Sequence, residues 1–202
     1  MKSVLAAQQN HWMKRQLMPL VITGALALVP FITQDEYVLG VWTFVVLNII
    51  VVVGLDLLLG YAGQLSLGHG AFVGIGAYGS ALLTTKLGWS GWAAIPVSML
   101  FAAAIATLVA IPTLRLRGYY LAMATLGFPI LLEAILRVGS NWSGGSSGVT
   151  AIPRLSFGDH VLSDPTAYYF LTVAVTGVVL LLCWNIAQSR LGLKLRAIHS
   201  DE

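Results

Sequence analysis

The chain has 202 residues, 57% of them hydrophobic and only 9% charged, with a formal net charge of +3 and a pI near 9.2. A soluble domain carries about 45–50% apolar residues, glycine included, and about 25% charged ones. Eleven basic and eight acidic side chains are too few to cover a soluble globule. A soluble enzyme, a nucleic-acid-binding protein and a disordered chain are thereby excluded, and an all-α, polytopic bundle of transmembrane helices is expected.

A helix needs about 20 mostly apolar residues to cross a bilayer. Six stretches qualify in chain order: residues 17–32, 38–59, 68–85, 92–114, 119–136 and 167–186. Residues 1–16 precede them as a cytoplasmic segment, residues 17–187 form the transmembrane domain, and 188–202 follow as a cytoplasmic tail. The first stretch has the basic flank of a signal peptide in Lys14 and Arg15, but Val29-Pro30-Phe31 is no small-residue cleavage site, so it reads as a retained helix. The fifth is the most interrupted, with Gly127 and Pro129 at mid-span. Residues 138–165 make the longest loop, rich in glycine and serine and no span.

Charge orients these spans. With both termini in the cytoplasm, Lys2, Lys14, Arg15, Arg115, Arg117, Arg190, Lys194 and Arg196 all fall inside, and only Lys86, Arg137 and Arg154 fall outside. The positive-inside rule therefore predicts N-in and C-in, with the 138–165 loop external. The lone Cys183 lies in an apolar run and has no intramolecular disulfide partner. Asn141-Trp142-Ser143 fits a glycosylation acceptor pattern, which chance explains better in this context.

Gly74-Ile75-Gly76-Ala77-Tyr78-Gly79 has dinucleotide-site spacing, yet it sits inside a span and lacks the strand and the following acid that such a site requires. Helix packing is the better reading. Gly70, Gly74, Ala77 and Ala81 share one helical face, where small residues let another backbone approach. The uncharged segment 60–70 carries four glycines together with Gln64, Ser66 and His69. Irregular backbone in a membrane is tolerated only when buried in protein or facing a wet cavity, so this segment is either a pathway wall or a plain hairpin with a packed histidine. Asn48, in mid-span, must face protein or water. Glu133 and Arg137, four apart, suit an ion pair on one helix face.

Catalytic and metal-binding signatures are absent: no phosphate-binding loop, no H-E-x-x-H, no Cys/His cluster and no G-x-S-x-G. Any ATP used for transport must therefore bind another chain.

The run from Gly60 to Phe72, with Gly74-Ile75-Gly76-Ala77-Tyr78, closely resembles the signature of ABC-transporter permeases for branched-chain amino acids, of the LivM type. Leu114-Arg115-Leu116-Arg117-Gly118-Tyr119-Tyr120 with Leu121-Ala122-Met123-Ala124-Thr125-Leu126-Gly127-Phe128 is similar to the same family, as are Gly144-Gly145-Ser146-Ser147-Gly148 and Ile152-Pro153. The tail from Ser189 to Ile198 resembles the start of the family's ATPase-docking loop. Many members carry a glutamate two residues after the Thr-Leu-Gly-Phe phenylalanine; Ile130 stands there in this chain, so Glu133 receives no family role. Family permeases continue through further spans, so the chain reads as a truncated permease.

The resemblance implies a bacterial inner-membrane importer subunit that is not an enzyme. It implies a second, LivH-like permease subunit, two cytoplasmic ATPases that hold ATP and Mg, and a periplasmic or extracellular binding protein. Asn48, Gln64, Ser66 and His69 are the candidates for the substrate pathway. Gly192, Lys194, Arg196 and Ala197 are the candidates for ATPase coupling. Urea, short-amide and sugar permeases of the same superfamily, and an ATP-independent secondary transporter or channel, are the alternatives.

Overall fold

The structure, a computed structural model, describes residues 18–64, 66–113, 116, 119–157, 160–190 and 192. Helix forms at all six expected positions. We label them α1 (Met18–Ile32), α2 (Glu36–Asp56), α3 (His69–Lys86), α4 (Gly91–Thr113), α5 (Tyr119–Val138) and α6 (Pro165–Gln188). A π-helical turn, Leu57–Tyr61, extends α2. Between α5 and α6 lie a one-turn helix (Ser140–Ser143), a 3-10 turn (Gly145–Ser147) and a two-residue antiparallel ladder pairing Ser156 with Val161 and Phe157 with His160. The described residues of the expected 138–165 loop are thus turn-built, with no helix long enough to span.

The six expected spans differ in character. Among the described residues, four helical stretches are long and apolar enough to cross a membrane: Glu36–Tyr61, Gly91–Thr113, Tyr120–Val138 and Pro165–Gln188. Met18–Ile32 is shorter, and α3 falls outside that group because four glycines, a serine, two threonines and a lysine dilute its apolar content. Pro129 does not break α5, which runs unbroken from Tyr119 to Val138.

Asp35 caps α2 by accepting from the Tyr37 N–H at 2.9 Å, and Asp164 caps α6 by accepting from the Thr166 N–H at 3.1 Å, with Pro165 in the first turn where its missing N–H costs nothing. Within the helices, Thr23, Thr43, Thr107, Thr172 and Thr176 each donate to the carbonyl four residues back. That bond satisfies a hydroxyl without any partner helix, which an apolar surrounding demands.

The chain divides into two compact units, Met1–Gly63 with Ser163–Glu202, and Gln64–Leu162. In the first, α2 packs on α6 around Leu39, Val46, Tyr169 and Val173, with Leu26, Ala27 and Val29 of α1 against them. Pro30 has no N–H to offer the Leu26 carbonyl, its normal helical partner. The buried Tyr169 hydroxyl takes that place, donating to the Leu26 oxygen at 2.7 Å. Gly177 of α6 lies where an added Cβ would stand 2.9 Å from the Thr23 methyl, so α1 and α6 touch closely there.

In the second unit α3 packs on α4 and, at its start, on α5. Gly79 is in close approach to Ser98: a Cβ there would lie 3.0 Å from the serine Cβ. Ser143 is fully buried, and its hydroxyl donates to the Leu136 and Gly139 carbonyls, closing the end of α5. That internal role accounts for the serine of the acceptor-like Asn141-Trp142-Ser143 run.

Candidate functional site

The backbone between α2 and α3 is irregular, as its glycines require. The π turn Leu57–Tyr61 is wider than an α turn, and such insertions are frequent at functional sites. Gly63 then adopts φ +68, a left-handed conformation that costs other residues about 1–2 kcal/mol. The chain passes Gln64 and Ser66 and re-enters helix at His69, the first residue of α3.

What seats this segment is α5. The Leu67 N–H donates to the Thr125 hydroxyl oxygen at 3.2 Å, across 58 positions of sequence. The same hydroxyl donates to the Ala122 carbonyl at 3.0 Å. Gly68 is buried against the Thr125 carbonyl, and a Cβ at Gly68 would lie 2.6 Å from that oxygen. One turn on, the Phe72 and Phe128 rings pack with centroids 5.1 Å apart at 33°. Next comes Gly74, 3.6 Å (from its ideal Cβ position) to the Leu132 methyl. Thus Gly68 just before α3, with Phe72 and Gly74 on α3, meets Thr125, Phe128 and Leu132 on α5, and the two longest signature-like runs of the sequence are physically joined.

Gln64, Ser66 and His69 are half-buried, and their side chains make no hydrogen bond to another described residue. Their polar atoms therefore remain available beside a segment whose backbone is fixed by α5. Asn48 belongs to the first unit. It is exposed, donates through Nδ2 to the Phe44 carbonyl at 2.8 Å, and lines a shallow apolar groove with Val45, Ile49 and Val52. Its side-chain oxygen accepts no hydrogen bond from another described residue.

The four small residues of α3 do not share one environment. Ala81 is buried, Gly74 meets Leu132, and Gly70 and Ala77 are exposed, with nothing within 4 Å of an added Cβ at Gly70. The buried residues of α3 are Ala71, Ile75, Ala81 and Thr84, with Gly68 buried just before the helix and Gly79 on Ser98. Thr125 is the residue that sequence reasoning passed over, although it stands inside the Ala124-Thr125-Leu126-Gly127-Phe128 run.

Of the coupling candidates, Gly192 is buried against the Ile186 and Ala187 carbonyls at the end of α6, leaving no room for a side chain. Lys194, Arg196 and Ala197 lie outside the described residues, as do Lys2, Lys14, Arg15, Arg115 and Arg117. Glu133 and Arg137 do pair, with Oε1 2.7 Å from Nη2 and 3.0 Å from Nε, both side chains exposed. Among the described residues no group of His, Cys, Asp and Glu could hold a metal.

Two curated relatives, from Escherichia coli (strain K12) and Salmonella typhimurium (strain LT2), are each named a high-affinity branched-chain amino acid transport system permease protein, LivM. Each is 35% identical over 153 residues, covering 76% of this chain and 36% of the relative. The chain thus spans about a third of the length of the curated relatives it matches. No solved structure gives a significant match. The family model described as the permease component of branched-chain amino acid transport systems matches residues 37–202, and with most of its length inside that match the chain belongs to this family of multi-pass membrane permeases.

Proposed function

We propose that the chain is the permease part of an ATP-driven importer of branched-chain or related amino acids in the bacterial cytoplasmic membrane, with N-in, C-in topology. The observation that carries this reading is the junction at Thr125. It seats the backbone beside Gln64, Ser66 and His69, whose side chains make no hydrogen bond to another described residue. A permease moves its substrate without covalent chemistry; it must offer polar groups to a zwitterion on a wall that can change position. Gln64, Ser66 and His69 supply such groups, and Asn48 supplies another. ATP and Mg belong to two partner ATPases, which engage the segment after α6, where Gly192, Lys194, Arg196 and Ala197 lie. A LivH-like permease subunit completes the pathway, and an extracytoplasmic binding protein delivers substrate. The polar cleft of unit two, lined by Thr85, Lys86, Asn141 and Thr150, offers that protein a hydrophilic surface.

Reconstitution in proteoliposomes with these partners tests the proposal. Leucine uptake should require ATP hydrolysis and the binding protein. Uptake that persists without the ATPases would make the chain a secondary transporter or channel instead, and selectivity for urea, short amides or sugars would reassign the substrate. In a Cys183→Ser background, single cysteines at positions 64, 66 and 69 should react with hydrophilic thiol reagents in at least one nucleotide state. Complete protection in every state would remove these residues from the pathway.

A further inference from the structure

Asn48 lies halfway along the 26-residue helical stretch Glu36–Tyr61, and so near the middle of the hydrocarbon which that stretch is long enough to cross. It is exposed, on a side of α2 turned away from Leu39 and Val46, which pack in the core of the first unit. Among the described residues its amide is only partly satisfied: Nδ2 donates one proton to the Phe44 carbonyl at 2.8 Å, and Oδ1 accepts none. An amide left facing lipid is costly, so this position calls for a partner that brings both a donor and an acceptor to the same depth. The neighbours on this side have a regular spacing. Val41, Val45, Asn48 and Val52 follow one another at steps of four, three and four, and all are exposed. That is the seam of two helices packed in parallel, and one asparagine in such a seam fixes its register.

We propose that this face of α2 is a contact between two copies of the chain, with the two Asn48 amides hydrogen-bonded to each other across a two-fold axis. Copies of one membrane protein share one orientation, so the axis that relates two of them runs along the membrane normal. Their α2 helices are then parallel, and equal residues meet at equal depth. The amide is self-complementary: each Nδ2 keeps one proton for the Oδ1 of the other copy. The valines, stiff at χ1, lose little side-chain freedom when they interlock. A second copy necessarily brings the required donor and acceptor to this depth, which an unlike subunit need not do. The inference stands on the membrane class and is independent of transport; Gln64, Ser66 and His69 carry the pathway reading without Asn48.

The full chain in density-matched micelles should show a monomer–dimer equilibrium by analytical ultracentrifugation. Asn48→Val removes both bonds between the copies, so the dissociation constant should rise about tenfold while helix content by circular dichroism is unchanged. Asn48→Gln keeps a donor and an acceptor and should associate more tightly than Asn48→Val. In a Cys183→Ser background, oxidation in vesicles should link two copies through Val45→Cys or Val52→Cys, because Cα atoms at a seam come within the roughly 7 Å that a disulfide can span. Leu47→Cys, at nearly the same depth and exposed on another side of α2, should stay unlinked. A chain that is monomeric at every concentration, Asn48→Val associating as the parent does, Asn48→Gln associating no better than Asn48→Val, or Leu47→Cys linking as fast as Val45→Cys would overturn the proposal. So would linkage at position 45 that forms only to a co-reconstituted, unlike permease subunit.

Discussion

Gly68→Ala should be among the most damaging single-methyl additions to the permease signature. The added Cβ would meet the Thr125 carbonyl oxygen at 2.6 Å, roughly 0.8 Å inside ordinary contact. That oxygen is backbone within α5, so it cannot swing aside; α3 and α5 must separate at this point. Overpacking of this kind costs about 1–3 kcal/mol. Separation also stretches the Leu67–Thr125 hydrogen bond, already 3.2 Å long, whose loss costs about 0.5–1.5 kcal/mol. The expected destabilisation is therefore about 1.5–4.5 kcal/mol, read as a shift in equilibrium unfolding by sodium dodecyl sulfate in mixed micelles. Gly76→Ala, eight residues on and inside α3, is the internal control. Nothing lies within 4 Å of its Cβ, so the same methyl should be neutral or stabilise by up to about 1 kcal/mol through helix propensity. If the two variants unfold alike, Gly68 is not seated on Thr125 and the junction proposed for the pathway wall is refuted.

Thr125→Val keeps the shape but leaves the Leu67 N–H without its acceptor, and should cost about 1–3 kcal/mol, whereas Thr125→Ser should retain most of the stability; equal losses would show that packing alone matters there. Tyr169→Phe strands the Leu26 carbonyl and should destabilise by about 1–3 kcal/mol. In a Pro30→Ala background that loss should shrink, because the new N–H can serve Leu26; an unchanged loss in a double-mutant cycle would contradict the assignment. Glu133→Gln should alter stability by less than about 0.5 kcal/mol, since both members of the exposed i,i+4 pair are more than half accessible; a larger change would mean the pair is enclosed in the assembled transporter.

The helices themselves were legible in the sequence because each depends on local properties. Length, apolarity and caps such as Asp35 and Asp164 are written along the chain, and the helices formed where apolar runs predicted them. The packing face of α3 was less legible. Gly70, Gly74, Ala77 and Ala81 share a helical face by spacing, yet Gly70 and Ala77 are exposed in this chain. A helix rich in small residues offers several faces that permit close approach, and which of them is used depends on the neighbours. The same limit applies to Thr125. A threonine in an apolar helix bonds to its own backbone by default, and nothing local reveals that its oxygen also receives the Leu67 N–H.

From sequence alone followed the membrane class, the helical elements, the irregular glycine-rich segment and the resemblance to permeases, since these rest on composition, periodicity and contiguous motifs. Only the tertiary structure decided that Gly68 and Phe72 seat on Thr125 and Phe128, and that Tyr169 replaces the hydrogen bond Pro30 cannot make. Each joins residues from different helices. In a chain where nearly every helix is apolar on all sides, hydrophobic pattern no longer marks the inward face. The few close approaches and polar bonds between helices select it instead.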